Sequence, residues 1–319
     1  MKYSFFIYIF FCSFVHSSYL DRDEVHDFID FMSETHNFEK TYLVEVFSKA
    51  EKQQNIIDSM NRPAEKIVSW DQYKSRVSFF RIQSGKIFLN AYSKWFDKAE
   101  EDFGVPREVI AAIIGLETNY GGYKGKIRVI DALSTAAFDY PRRRPFFKKQ
   151  LEEFFLLSRE ENFDITSIRG SYAGAMGFAQ FMPDNYRKLA LDFDGDGKRD
   201  IMNNAADAIG SVANFLSSED GNKRGWDKDG FIAIPAEAKR KNKNIKSSFK
   251  LVPYKELDII YEGNNYDFTN EYIQISLFPS NEEKDEFWIG DKNLYAITRY
   301  NPSSKYAMSV FLLSEELKN

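Results

Sequence analysis

The chain has 319 residues, enough for two or three domains and a substantial core. Its net charge of −5 gives no support to nucleic-acid binding, which calls for a basic face. One cysteine, Cys12, and histidines reduced to His26 and His36 after the leader exclude disulfides, thiol nucleophiles and Cys-ligated metals, and leave a Ser-His-Asp triad or a His-rich zinc site without support, so that chemistry falls to carboxylates, hydroxyls and amides.

Met1–Lys2, an apolar run from Tyr3 to Val15 and the small polar pair Ser17–Ser18 read as a secretory signal peptide over residues 1–18. The run is too short for a membrane span, which takes about 18 apolar residues. Lipid anchoring at Cys12 is disfavoured, because bulky Phe11 precedes it where a small residue is expected. Residues 19–103 read as a helical N-terminal domain. Phe28, Ile29, Phe31 and Met32 recur with helical period, as do Leu43, Val44, Val46 and Phe47, then Phe79, Phe80, Ile82, Ile87 and Phe88, with Pro63 as a break.

Residues 104–229 form a second helical block, in which the run from Val109 to Leu116 leads into Glu117 and stops at Thr118–Asn119–Tyr120–Gly121–Gly122. At helical spacing Glu117 shares a face with Ile110, Ile113 and Ile114. A carboxyl group on an apolar face is desolvated, its pKa rises, and it suits a general acid. The alternative is a Glu that caps or salt-bridges a helix end. Tyr140–Pro141–Arg142–Arg143–Arg144–Pro145 is a basic knot, either a contact for an anion or a solvated helix start. Ser171 to Pro183 is rich in small residues that allow close backbone approach, and it lacks the Gly-Lys-Ser/Thr ending of a phosphate loop. Asp192–Phe193–Asp194–Gly195–Asp196–Gly197–Lys198 matches the opening of an EF-hand loop, with acidic residues at positions 1, 3 and 5 and glycine at the turn. Position 12 is Asn203 and not Glu, so Asp200 or Asp207 would have to complete a cation shell; the alternative is a surface turn that binds nothing.

Residues 230–302 change texture to a small β-rich region. Lys239–Lys250 is a basic exposed loop, and strand-like alternation follows at 257–261 and 272–277, with short strands at 288–290 and 294–297. Residues 303–319 hold a closing helix, from about Ser304 to Glu316. Aromatic residues make up 16% of the chain, which fits a Phe-rich core or a groove that stacks sugar rings.

Taken together, Gly115–Thr118, Tyr140–Arg143, Ser171–Pro183, Asp192–Gly197, Asp207–Asn214 and Ile297–Asn301 resemble the membrane-bound lytic transglycosylase B family of peptidoglycan-cleaving enzymes, glycoside hydrolase family 103. The resemblance spans nearly all of the mature chain. It implies a mainly α (α+β) fold: a lysozyme-like helical core, a helical N-terminal domain and a small C-terminal β-rich domain. It also implies cleavage of the β-1,4 bond between N-acetylmuramic acid and N-acetylglucosamine, leaving a 1,6-anhydromuramoyl end. The family's catalytic Glu falls on Glu117. Its substrate-contacting residues fall on Ser171, Gln180, Tyr300 and Asn301, and its groove aromatics on Tyr306 and Tyr73. Its calcium loop falls on Asp192, Asp194, Asp196, the Lys198 carbonyl and Asp207, the last one residue beyond the usual spacing. No organic cofactor is implied, only a structural Ca2+.

The expected setting is the periplasm of a Gram-negative bacterium, with peptidoglycan glycan strands as partner, cell-wall synthesis proteins as further candidates, and a monomer. Two competing readings remain. A lysozyme-type hydrolase needs a second carboxylate, for which Glu152, Glu153, Glu160 and Glu161 are candidates, although their charged neighbours suggest a solvated helix face. A non-catalytic peptidoglycan-binding protein has no need of an acid on an apolar helix face.

Overall fold

The structure, a computed structural model, describes residues 18–62, 68–219, 225–240, 244–280 and 284–319. Residues 1–17 of the expected signal peptide, Cys12 among them, the break at Pro63 and the middle of the basic loop at 241–243 lie outside the described residues. The chain divides into two compact units, with the boundary between Lys52 and Gln53.

In the first unit, α1 (Asp23–His36) turns Val25, Phe28, Ile29 and Met32 to one side and ends at Asn37, whose left-handed φ of 57° a short polar residue tolerates. Leu43, Val46 and Phe47 of α2 (Lys40–Lys49) supply its other apolar stripe.

The second unit holds α3 (Gln54–Asn61), α4 (Trp70–Lys74), α5 (Phe79–Ala91), α6 (Ser93–Phe103), α7 (Arg107–Thr118), α8 (Val129–Asp139), α9 (Arg144–Glu160), α10 (Pro183–Leu189), α11 (Ala205–Ser217), α12 (Lys292–Tyr300) and α13 (Ser304–Lys318). The expected domain boundary at residues 103–104 falls inside this unit, because α6 packs on both α7 and α11. Every residue of α7 from Val109 to Gly115 is buried, so the helix is apolar all round and forms the core, with α13, α5 and α11 around it. In α5 the helical expectation holds but not its facing: Gly85 and Phe88 point inward, whereas Phe79, Phe80 and Ile87 are exposed, Phe80 to 81%.

Two short strands, β1 (Ile127–Arg128) and β2 (Arg169–Gly170), pair antiparallel and bring the 171–183 loop back toward the end of α7. The remaining strands are β3 (Ala233–Ala238), β4 (Ser248–Pro253), β5 (Ile259–Ile260), β6 (Glu271–Leu277) and β7 (Glu286–Gly290). They form one antiparallel sheet in the order β4-β6-β7-β3-β5. Its own small core joins Ile234, Ile245, Leu257, Ile259, Tyr272 and Ile289. The expected strand at Leu294–Ile297 is instead part of α12. Asp291 accepts the N–H groups of Asn293 at 2.7 Å and Leu294 at 3.4 Å and so starts a helix, where a short apolar run alone fits either element.

Candidate active site

Glu117 stands one residue before the end of α7 and is half-buried. The stop after it is built as the sequence suggests and then goes further. Asn119, Tyr120 and Gly121 all take left-handed backbone, with φ of 50°, 59° and 85°. For a bulky residue such as Tyr120 that conformation costs about 1–2 kcal/mol. It is held by packing: the Tyr120 ring fills the space over two glycines, so that a Cβ on Gly115 would lie 2.5 Å from its Cζ and one on Gly85 2.3 Å from its hydroxyl. Arg81 of α5 donates from Nε to the Gly115 carbonyl at 3.1 Å, as a second donor beside the Asn119 N–H at 3.0 Å. Neither Arg81 nor the two glycines carries a signal in the sequence; a charge inside Phe79–Phe80–Arg81–Ile82 is the nearest to one.

Thr118 fastens the next piece. Its buried hydroxyl is 3.1 Å from the carbonyls of Ile114 and Phe178, and it accepts the Gly121 N–H at 3.0 Å. The 171–183 loop is thereby tied to the end of the Glu117 helix. Gln180, with a left-handed φ of 48°, donates its amide to Gly177 O at 2.9 Å and Lys124 O at 3.3 Å, which leaves its amide oxygen to accept from a ligand. Gly177 is required here: its φ is 72°, and a Cβ would sit 2.3 Å from Ile201 O. The Ser171 hydroxyl oxygen accepts the Ala173 and Ala175 N–H groups at 3.3 and 3.1 Å, so it holds the turn while keeping its own proton to donate.

The far wall comes from the end of the chain. The Tyr300 hydroxyl donates to Ala179 O, and its ring lies 4.6 Å from Phe215 and 6.5 Å from the nearly parallel ring of Tyr306. Burial first, and then the Glu117 carboxylate, push both tyrosine hydroxyls well above their ordinary pKa, so both stay protonated. Tyr306 is 4% exposed, and its buried hydroxyl is turned to the Glu117 carboxyl, whose charge and hydrogen bonding help to hold the phenol proton. Tyr73 stands close enough to Tyr306 to influence it, is 2% exposed, and has the Arg76 guanidinium 4.0 Å over its ring. Tyr306 and Tyr73 therefore back the site as buried residues. Asn301, half-buried, closes α12, and its carbonyl accepts the Ser303 N–H at 2.8 Å. Tyr73 owes its place to α4, whose Trp70 donates Nε1 to Glu286 of β7 at 2.9 Å and whose Asp71 accepts the Ser280 N–H at 2.9 Å.

Of the four alternative carboxylates, only Glu160 is exposed as a solvated face would have it. Glu152 and Glu153 are buried, and the set is paired: Lys149 with Glu152 at 2.8 Å and Glu153 at 3.0 Å, Arg187 with Glu153 and with Glu160 at 2.6 Å, and Arg199 with Glu161. Their charged neighbours come from α10 and the loop after it as well as from α9. The basic knot is a helix start, with Pro141–Arg143 as a short turn leading into α9 and Arg143 stacked 4.1 Å over the Phe146 ring.

In the acidic loop Asp192, Asp194 and Asp196 come together, each offering an oxygen within 4.8 Å of the others. The backbone wraps them, with the N–H groups of Gly195 and Gly197 donating to Asp192 at 2.9 and 2.8 Å and that of Lys198 to Asp196 at 2.9 Å. Three hard oxygen donors with glycine at the turn suit a calcium-sized cation. Asp207 does not join them. It is 0% exposed, and its two oxygens accept the N–H groups of Phe193 at 2.8 Å and Asp200 at 2.7 Å, bracing both ends of the loop. Phe193 anchors the loop below, against Gly210, where a Cβ would lie 2.3 Å from its ring.

The fold agrees with what comparison with known proteins finds. A transglycosylase SLT domain matches residues 21–315. The membrane-bound lytic murein transglycosylase B of Escherichia coli is 34% identical over 309 residues, covering 93% of this chain and 83% of its own. The X-ray structure of catenated lytic transglycosylase SltB1 from Pseudomonas aeruginosa superposes with a TM-score of 0.83 at 36% identity, covering 93% of this chain and 97% of that one. The Escherichia coli lytic transglycosylase SLT35 in complex with calcium does so with 0.81 at 33%, covering 92% of each chain. The mainly α fold with a lysozyme-like core, expected from the sequence, is that of these relatives. With its match running through all the elements that gather around Glu117, this chain belongs to the transglycosylase SLT domain family of lytic transglycosylases.

Proposed function

We propose that the protein, a peptidoglycan-cleaving lytic transglycosylase, works with Glu117 alone as acid and then base on the β-1,4 bond between N-acetylmuramic acid and N-acetylglucosamine. The observation that carries this reading is the setting of Glu117: a half-buried carboxyl at a helix end, facing two tyrosine hydroxyls that stay protonated, while the carboxylates a hydrolase would draw on are held in ion pairs. Protonated Glu117 donates to the glycosidic oxygen as the bond to C1 breaks and an oxocarbenium-like centre forms. The muramic N-acetyl group supplies the internal nucleophile. Ionised Glu117 then takes the proton of the C6 hydroxyl, whose oxygen bonds to C1 as the bond from C1 to the N-acetyl oxygen breaks. The proton returns to Glu117, and no water is consumed. Tethering the attacking hydroxyl within the substrate raises its effective concentration above what water can match. Ser171, Gln180 and Asn301 orient N-acetyl and hydroxyl groups, and the tyrosines Tyr300, Tyr306 and Tyr73 form and back the sugar-facing wall.

Calcium on Asp192, Asp194 and Asp196, with the Lys198 carbonyl, would hold the loop that α11 braces through Asp207 and take no part in the reaction. Among the described residues no helix is long and apolar enough to cross a membrane. We place the working protein in the periplasm as a monomer on glycan strands, exported by residues 1–18. Mass spectrometry of products from purified peptidoglycan, comparing wild type with Glu117→Gln, tests the chemistry. Muropeptides one water lighter than hydrolytic products, absent with the variant, are expected; reducing-end products would sink the transglycosylase chemistry.

A further inference from the structure

A cavity of 660 Å³ opens beside the sheet, walled by Glu219, Asp227, Leu251, Pro253, Asn270 and Asp291 among others. None of the residues around Glu117 lines it. Asp291 is 6% exposed, and one of its oxygens is spent on capping α12. The other, Oδ2, has no hydrogen-bond donor among the described residues and stands over Gly230, where a Cβ would come within 2.5 Å of it. Asp227 Oδ2 and the Asn293 side-chain nitrogen each lie 3.1 Å from that same Cβ position, and that nitrogen donates to the carbonyls of Asp227, Gly230 and Phe231 rather than to either carboxylate. Lys292, the neighbouring cation, has its ammonium on the exposed Glu219 at 3.1 Å.

Capping does not account for this arrangement. Asn or Ser caps a helix as well as Asp does, without a second charged oxygen left in a buried wall. Burial, with the Asp227 charge adding to it, pushes the Asp291 carboxyl up to about 7, the mark of a group short of a positive partner. The space is of ligand size, whereas one water occupies about 30 Å³. A bare metal ion would leave most of it empty, and Leu251 and Pro253 line part of it with apolar surface.

We propose that this cavity binds a primary ammonium group on an aliphatic side chain of a short peptide, with Asp291 and Asp227 accepting its N–H bonds and Leu251 and Pro253 covering the stem. The inference rests on the proposed substrate, deepening it to strands that carry peptides. Helix α12 runs from the cavity to Tyr300 over 9 residues, about 14 Å. Four extended residues span about 13 Å, a length that matches the helix.

The test is titration calorimetry of the full chain with a lysine-containing tetrapeptide and with its Nε-acetyl counterpart. Wild type is expected to hold the free amine at least tenfold more tightly. Asp291→Asn and Asp227→Asn, the first of which keeps the helix cap, are each expected to bring the two peptides within twofold, with circular dichroism unchanged. Equal binding of the two peptides by wild type, no binding of either, or an unchanged preference in both folded variants would overturn the site. Calcium that displaces the lysine peptide from a chain whose 192–196 carboxylates are replaced by Asn would overturn it in favour of a metal site. Neither peptide contains sugar, so a chain that holds the amine but cuts no glycan would refute the proposed function and leave the site standing.

Discussion

Replacing Thr118 by Val removes one oxygen and keeps the shape, at the point where the helix bearing Glu117 meets the 171–183 loop. The Ile114 carbonyl keeps the Tyr120 N–H at 3.4 Å. The Phe178 carbonyl loses the hydroxyl at 3.1 Å and the Gly121 N–H its acceptor at 3.0 Å. A buried polar group left without a partner costs about 1–3 kcal/mol. Gly121 is only half-buried, so water recovers part of its share, and the expected loss is about 2–4 kcal/mol in all. For a unit of this size that corresponds to a fall in Tm of about 4–12 °C. Thermal unfolding followed by circular dichroism measures it, beside Thr118→Ser, which keeps the hydroxyl and forfeits a methyl group worth about 1 kcal/mol. Activity is expected to fall with the valine variant, since Gln180 and the Ala179 carbonyl that holds Tyr300 ride on the loop it releases. A valine variant no less stable than the serine one would refute the reasoning, because the hydroxyl would then not be what joins loop to helix.

Tyr306→Phe removes the hydroxyl turned to Glu117 and keeps the ring, so it should lower kcat on glycan strands while the fold is retained; product assays beside circular dichroism check the two together. Asp291 has its pKa raised from 3.8 to about 7, so the stability it contributes is complete below about 4 and is lost as pH rises through about 7. Asp291→Asn keeps the cap and escapes that loss, so its advantage over wild type should be absent at pH 4 and grow above pH 7 to at most about 4 kcal/mol, read from urea midpoints across the range. Gly115→Ala should cost about 1–3 kcal/mol by thermal unfolding despite alanine's better helix propensity, because its Cβ meets the Tyr120 ring at 2.5 Å. Calcium should raise the Tm of wild type, by an amount equivalent to about 2.7 kcal/mol at a hundredfold excess over Kd, and should not raise that of Asp194→Ala; chelation that abolished activity without lowering the Tm would contradict a loop-holding role.

Much of the local architecture is legible from the residues because its causes lie within one or two turns of chain. The apolar run from Val109 to Gly115 and the Asn119–Gly122 stop set the helix and put Glu117 at its end. The spacing of Asp192, Asp194 and Asp196 around two glycines is enough to gather three carboxylates. Where competing elements share a pattern, the chain alone misleads. Leu294–Ile297 is as apolar as a strand and becomes a helix because Asp291 caps it. The charges around Glu152 and Glu153 suggest a solvated face and belong instead to an ion-pair network completed by Arg187 from another helix.

The sequence by itself determined the Glu117 carboxyl at the end of its helix, the acidic loop and, through its longer motifs, the family. Only the tertiary structure decided what surrounds the acid. Tyr73, Tyr300 and Tyr306 meet near Glu117 because Trp70 reaches Glu286 and Tyr300 reaches Ala179, contacts across 216 and 121 residues that leave no local trace. Asp207 turns from candidate ligand to brace for the same reason: helix propensity and turn chemistry act over a few neighbours, whereas burial and the pairing of polar groups are settled by which distant segments close over them.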